Sequence, residues 1–127
     1  MEWHIDASAP VYAQLIAQIK LGIVSGEYAA GSRLPSVRDM ALEAGVNPNT
    51  MQRALSELER SGLVYAQRTA GRFVTEDLAL IEDAKRSLAE QNIRRFLDAM
   101  SRLGYMREEI TALLRSRVEE ENGNADL

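Results

Sequence analysis

Between Pro10 and Gly26 the apolar residues Tyr12, Leu15, Ile16, Ile19 and Ile23 fall at i, i+3, i+4, i+7 and i+11. That spacing predicts one α-helix with a single apolar stripe. Pro10 suits its opening turn, where a missing N–H costs nothing, and Gly26 is a natural stop. Ahead of it, Trp3 and Ile5 alternate with Glu2, His4 and Asp6, so residues 1–9 read as an extended arm with Trp3 packed under the helix. Behind it, "EYAAGSRLP" reads as a loop, with Gly31 at a turn and Pro35 opposing regular structure. A second helix carries Val37, Met40, Ala41 and Ala44 on its apolar side. Ser36 is its N-cap, Asp39 completes a capping-box-like pair, and Gly45 ends it. A third helix follows at once. Asn47 caps it, Pro48 takes its first position, and Met51, Ala54, Leu55 and Leu58 bury one side before Gly62 closes it. "LVYAQ" and "RFVT" are short β-prone runs around "RTAG", a hairpin with Gly71 supplying a permissive backbone. Helix, helix, tight turn, helix, hairpin is the order of a winged helix-turn-helix.

From Asp77 the pattern is helical and free of proline. Leu78, Ile81, Leu88, Phe96, Leu97, Met100 and Leu103 outline a long amphipathic helix, which Gly104 breaks. Met106 stands where a polar cap is expected for a last helix, Glu108 and Glu109 suit its first turn, and Ile110, Leu113, Leu114 and Val118 form its apolar face. "EEENGNADL" has too little apolar content to fold. The fold class is mainly α with a small β-hairpin: a winged helix-turn-helix domain with its arm over 1–76, a two-helix region over 77–120, and an unstructured tail over 121–127. Two helices alone bury little, so Phe96, Leu97, Met100, Leu103, Ile110, Leu113 and Leu114 must meet the first domain or another chain. A second subunit is the simpler answer.

Composition narrows the function. With 127 residues, 46% hydrophobic and 27% charged, the chain is ordinary for a soluble domain with an appendage. It has no cysteine, hence no disulfide framework and no thiolate chemistry, which fits the cytoplasm. There is no apolar run long enough to span a membrane, and "MEWHIDASAP" lacks the basic and apolar regions of a signal peptide. A single histidine excludes a histidine-rich metal site, and no phosphate loop or His–carboxylate pair is present. Neither an enzyme, a cofactor nor a metal is expected.

The net charge of −4 argues against nucleic acid until its distribution is considered. Between Arg33 and Arg72 six arginines face four acidic residues, whereas from Asp77 onward eight basic residues face eleven acidic ones. The middle of the chain is locally basic, although a bland excess of surface arginine gives the same pattern. The third helix sharpens the point. Asn49, Gln52, Arg53 and Ser56 share a polar face. Asn and Gln can pair with adenine N6 and N7, and Arg with guanine O6 and N7; plain solvation is the alternative reading. Ser36, Asn47, Thr50 and the helix N-termini suit phosphates.

"SGEYAAGSRLPSVRDMA", "GVNPNTMQRALSELERSGLV" and the wing ending "GRFV", in order and without interruption across Pro10 to Thr75, closely resemble the N-terminal domain of GntR-type bacterial transcriptional regulators. The short two-helix C-terminus is similar to that of the YtrA-like subgroup, in which it serves dimerisation. The resemblance implies a homodimeric repressor on a palindromic operator in double-stranded DNA, and suggests control of transporter genes. Residue by residue it implies DNA contact by Arg38 early in the second helix and by Asn47, Asn49, Thr50, Gln52 and Arg53 at the start of the recognition helix. It also implies close minor-groove approach at Gly71 and a basic contribution from Arg33. Two positions depart from the pattern: Ala70 stands where Lys is frequent, and Arg72 where a small hydroxyl residue is frequent. Arg72 is thus a candidate minor-groove cation itself. Any small-molecule effector, of unknown identity, is expected to use the dimer interface or a groove between the C-terminal helices and the winged domain, where Phe96, Met100, Leu103, Tyr105 and Met106 cluster; a plain dimer core is the other reading. The alternative function is a helical protein-interaction module with the winged helix as scaffold.

Overall fold

Helix α1 (Val11–Val24) opens after Pro10 and buries Leu15, Ile19, Gly22 and Ile23. The computed structural model describes residues 1–125. The N-terminal arm runs along α1, held by two glutamines of that helix. Gln18 Oε1 accepts from His4 N at 3.0 Å and Gln18 Nε2 donates to His4 O at 2.8 Å. Gln14 does the same for Asp6 and also reaches Ala9 O. Side-chain amides thus satisfy backbone groups that a neighbouring strand would otherwise pair. Trp3 and Ile5 pack against the core from this arm.

Helix α2 (Val37–Ala44) starts where Ser36 Oγ accepts from Asp39 N at 3.1 Å and stops at Gly45, whose φ of 72° is left-handed. Helix α3 (Pro48–Arg60) starts three residues later, with Asn47 Oδ1 accepting from Asn49 N at 2.8 Å. The tight turn therefore comes from a C-cap glycine followed almost at once by an N-cap asparagine. Met51, Ala54, Leu55 and Leu58 of α3 meet Leu15, Ile19 and Ile23 of α1 and Met40 and Ala41 of α2 in one core cluster. Burying each large side chain there stabilises the fold by about 1.5–3 kcal/mol.

Strands β1 (Val64–Gln67) and β2 (Gly71–Val74) form the antiparallel hairpin, with Val64 opposite Val74 and Gln67 opposite Gly71. Residues 32–34, expected as loop, flank the other edge of β2: Arg33 bridges Phe73, Leu34 N donates to Arg72 O, and Val74 N donates to Ser32 O, both at 2.8 Å. Only three residues alternate there, with Leu34 turned into the core, too few to register as a strand in sequence.

Helix α4 (Leu78–Arg102) is capped by Asp77, whose Oδ1 accepts from Ala79 N at 3.1 Å and Leu80 N at 3.2 Å. Leu80, Ile81 and Ala84 pack on the core, and Leu78, placed on the apolar stripe by spacing, is 69% exposed. The first compact unit accordingly spans Met1–Arg86, ten residues past the expected domain end. The second unit, from Ser87 onward, holds the rest of α4 and helix α5 (Arg107–Ala125), joined through Gly104 at φ 96°. Glu109 Oε1 accepts from Met106 N at 3.0 Å, so the reverse half of a capping box operates although Met106 offers no polar cap. α5 continues to Ala125, through most of the stretch expected to be unstructured from 121; residues 126 and 127 of that stretch lie outside the described residues. In this unit Ile110 is 3% exposed, whereas Phe96, Leu97, Leu103, Leu113 and Leu114 remain open. Among the described residues no helix is long and apolar enough to cross a membrane.

Candidate nucleic-acid interface

The buried side of α3 fixes what its other side presents. Met51, Ala54, Leu55 and Leu58 are at most 1% exposed, so the helix cannot roll, and Asn49, Gln52, Arg53 and Ser56 face outward. Asn49 and Gln52 lie near the helix N-terminus, the end that a recognition helix brings to base edges. Asn47 stands exposed beside them with its side-chain oxygen committed to the cap, and Thr50 is half-buried.

Arg53 is not a freely solvated side chain. Its Cζ lies over the ring of Tyr12, 3.8 Å from the centroid. Tyr12, assigned by spacing to the buried stripe of α1, is instead half-exposed, and its ring face carries the guanidinium. Nothing in the local sequence marks this pair, because the two residues come from different helices.

The wing adds a second group. Arg33 lies across the hairpin tip: a Cβ on Gly71 would sit 3.1 Å from Arg33 Nε and 3.4 Å from its Nη2. Gly71 has a φ of 102°, so this position favours glycine on two counts, backbone conformation and space. Arg72 points elsewhere. Its Nε donates to the Glu59 carboxylate at the end of α3, with only 19% of the side chain exposed. Arg72, the candidate minor-groove cation, is thus paired with Glu59 in the single chain, while Arg33 lies across the tip. Glu59 is a residue that sequence reasoning did not single out.

Between wing and helices, Arg33, Leu34, Pro35, Ser36, Val37, Gly71 and Arg72 line a groove of about 220 Å³. It sits at the N-terminus of α2, where backbone N–H groups and the helix dipole favour anions. Arg38, in the first turn of α2, is exposed. Of the six arginines between residues 33 and 72, Arg60 pairs with Glu57 and Arg72 with Glu59. No ion pair occupies Arg33, Arg38, Arg53 or Arg68 among the described residues, so their charge is available to a polyanion. The candidate interface thus combines outward polar side chains on one clamped helix, a cation at the wing tip, and an anion-attracting groove between wing and helices.

Residues 11–74 match the family described as bacterial regulatory proteins, gntR family. The HTH-type transcriptional regulator YhcF of Bacillus subtilis is 38% identical over 110 residues, covering 87% of this chain and 91% of the relative. The HTH-type transcriptional repressor YtrA of the same organism is 36% identical over 95 residues, covering 73% of each. A solved GntR family transcriptional regulator from Listeria monocytogenes superposes with a TM-score of 0.80 at 40% identity, covering 88% of this chain and 98% of that one. The DNA-binding domain of AraR, solved in complex with operator ORX1, aligns at a TM-score of 0.55 and 25% identity over 59% of this chain and 96% of that one.

Proposed function

The chain belongs to the GntR family of bacterial transcriptional regulators, with relatives of the YtrA type, and from that premise we propose that it is a homodimeric repressor of a palindromic operator. The observation that carries the reading is the clamped α3 with Asn49, Gln52 and Arg53 on its open face. The DNA-binding domain of AraR, solved with an operator, supports DNA as the ligand of a domain of this fold. Asn49 and Gln52 read adenine edges and Arg53 a guanine edge, each good bidentate contact giving roughly 1–3 kcal/mol of discrimination. Arg33 enters the minor groove at the Gly71 tip. Arg38, Ser36, Asn47 and Thr50 hold phosphates and set the register. Arg72 contributes through Glu59, by tying the wing to α3.

Two copies follow from the open apolar side of the second unit, where Phe96, Leu97, Leu103, Leu113 and Leu114 are uncovered. Two-fold symmetry in the protein then calls for two half-sites about 34 Å apart, one turn of DNA. A chromosomal DNA target supports a cytoplasmic location, and the similarity to YtrA directs the search for target genes to transporter operons.

Selection of random duplex DNA by the purified protein, followed by salt titration on the winner, tests the reading. The expected result is an inverted repeat whose affinity falls steeply as salt rises. Failure to enrich any sequence, with tight capture of a protein partner instead, would move the assignment to a helical interaction module built on the winged-helix scaffold.

A further inference from the structure

We propose that Tyr12 is a positioning residue for sequence recognition: its ring holds the Arg53 guanidinium in place while Arg53 reads a guanine. The inference rests on the recognition-helix assignment above and adds to it a residue on a different helix. Arg53 Cζ stands 3.8 Å from the Tyr12 ring centroid, over the ring face. Arg53 is nonetheless exposed, and Tyr12 is only half-covered, so the pair sits at the surface rather than in the core. Tyr12 is fixed at the start of α1 because Leu15, Ile19 and Ile23 of that helix are buried against α3.

Stacking is compatible with reading. A guanidinium that rests on a ring by its face keeps its N–H donors directed outward in its own plane. Those donors make the bidentate pair with guanine O6 and N7. A long, free arginine loses rotamer freedom when it binds, and a side chain held beforehand loses less. The ring also adds attraction for the cation. Tyr12 thereby strengthens one base contact without touching DNA. Lysine at position 53 would keep the charge and lose the planar fork.

The test uses the full chain on its selected operator and on single-base variants of it. Tyr12→Leu is expected to weaken operator binding about fivefold, the size of a surface cation–π contribution, and to relax preference at the same base pair as Arg53→Ala. Tyr12→Phe is expected to retain wild-type affinity and preference. In an Arg53→Ala background, Tyr12→Leu is expected to cause no further loss. Equal losses in both backgrounds, or wild-type binding by Tyr12→Leu while Arg53→Ala is impaired, would overturn the role of Tyr12 and leave the recognition helix standing. Unchanged preference in Arg53→Ala would remove both. A measurement on the wild-type protein stands apart from any folding defect. The Arg53 Nε–H proton is expected to be ring-current shifted in NMR spectra of the free protein and to stay so on the operator. Loss of that shift in the complex means that the arginine leaves the ring to read, which overturns the proposal.

Discussion

Gly22 lies in the buried face of α1, although helix formation alone favours almost any other residue there. A Cβ at that position would meet Tyr28 Cδ2 at 2.8 Å and Met1 Sδ at 3.3 Å, and Tyr28 N donates to Gly22 O at 2.9 Å. The glycine makes room for the Tyr28 ring, which closes the turn after α1. Overpacking costs about 1–3 kcal/mol, against about 1 kcal/mol of helix preference for alanine. Gly22→Ala is therefore expected to lower stability by about 1 kcal/mol, read as a lower urea midpoint with an unchanged slope. Burial, with Glu43 and Glu27 adding repulsion, pushes the Tyr28 phenol up to about 12 from 10.0. The folded chain holds that proton more tightly than the unfolded chain, so this contribution is complete below the unfolded value and lost as pH climbs through the folded one. Urea midpoints followed from about pH 9 to about pH 12 should decline, and Tyr28→Phe should flatten part of the decline.

The recognition helix and the wing act as linked elements. Glu59 at the end of α3 holds Arg72 of β2, and the backbone of residues 32–34 completes the other edge of that strand. The stacked rings of Tyr65 and Phe73, 5.7 Å apart, stiffen the hairpin between them. Under this arrangement Arg72 is neutralised and Arg33 is free. Glu59→Gln should release Arg72 toward phosphate. The expected signature is higher non-specific DNA affinity and a salt slope steeper by about one unit, since each phosphate contact contributes about 0.9. Arg33→Ala should change the slope by about one unit in the opposite sense. Fluorescence anisotropy across a salt series separates the two. Equal slopes for wild type and Glu59→Gln would mean that Glu59 does not withhold Arg72 from phosphate.

At the scale of the molecule, charge and apolar surface are segregated along the chain. Arg33, Arg38 and Arg53, without an ion pair among the described residues, lie at the candidate interface, and the acidic excess lies from Asp77 onward. That separation lets a chain of net charge −4 present a positive face to DNA. Of the twelve large hydrophobic residues exposed among those described, nine lie in the second unit, from Ile93 to Val118. Such a concentration marks an interaction surface, and the proposed occupant is a second copy. Leu97, 37% exposed in the single chain, tests it. Leu97→Glu buries a charge only if copies associate, so the chain should fold with an unchanged circular dichroism spectrum and sediment as a monomer. Operator affinity should fall about 100-fold, because two linked half-site contacts become one. Dimeric sedimentation by this variant would place the subunit contact elsewhere.

Sequence alone determined what is local. Ser36, Asn47 and Pro48 announce the helix starts, Gly45 the tight turn, and the stripes of α1, α2 and α3 their buried sides, because caps and periodicity act over three or four residues. The outward face bearing Asn49, Gln52 and Arg53 followed from the same periodicity. Tertiary structure alone decided which distant side chains meet. Periodicity says that α1 has an apolar side but not that Tyr12, at its margin, will carry Arg53. It puts Leu78 on the apolar stripe of α4, whereas packing over Gly62, whose added Cβ would sit 3.3 Å from Leu80 Cδ2, seats Leu80 instead. The local sequence puts Arg33 in a loop before α2 and gives no sign that this side chain lies across Gly71, or that Glu59 pairs with Arg72. The physical reason is the same in each case. Local preferences fix the conformation of a segment, whereas its contacts depend on how finished elements fit together, and that information is spread across the whole chain.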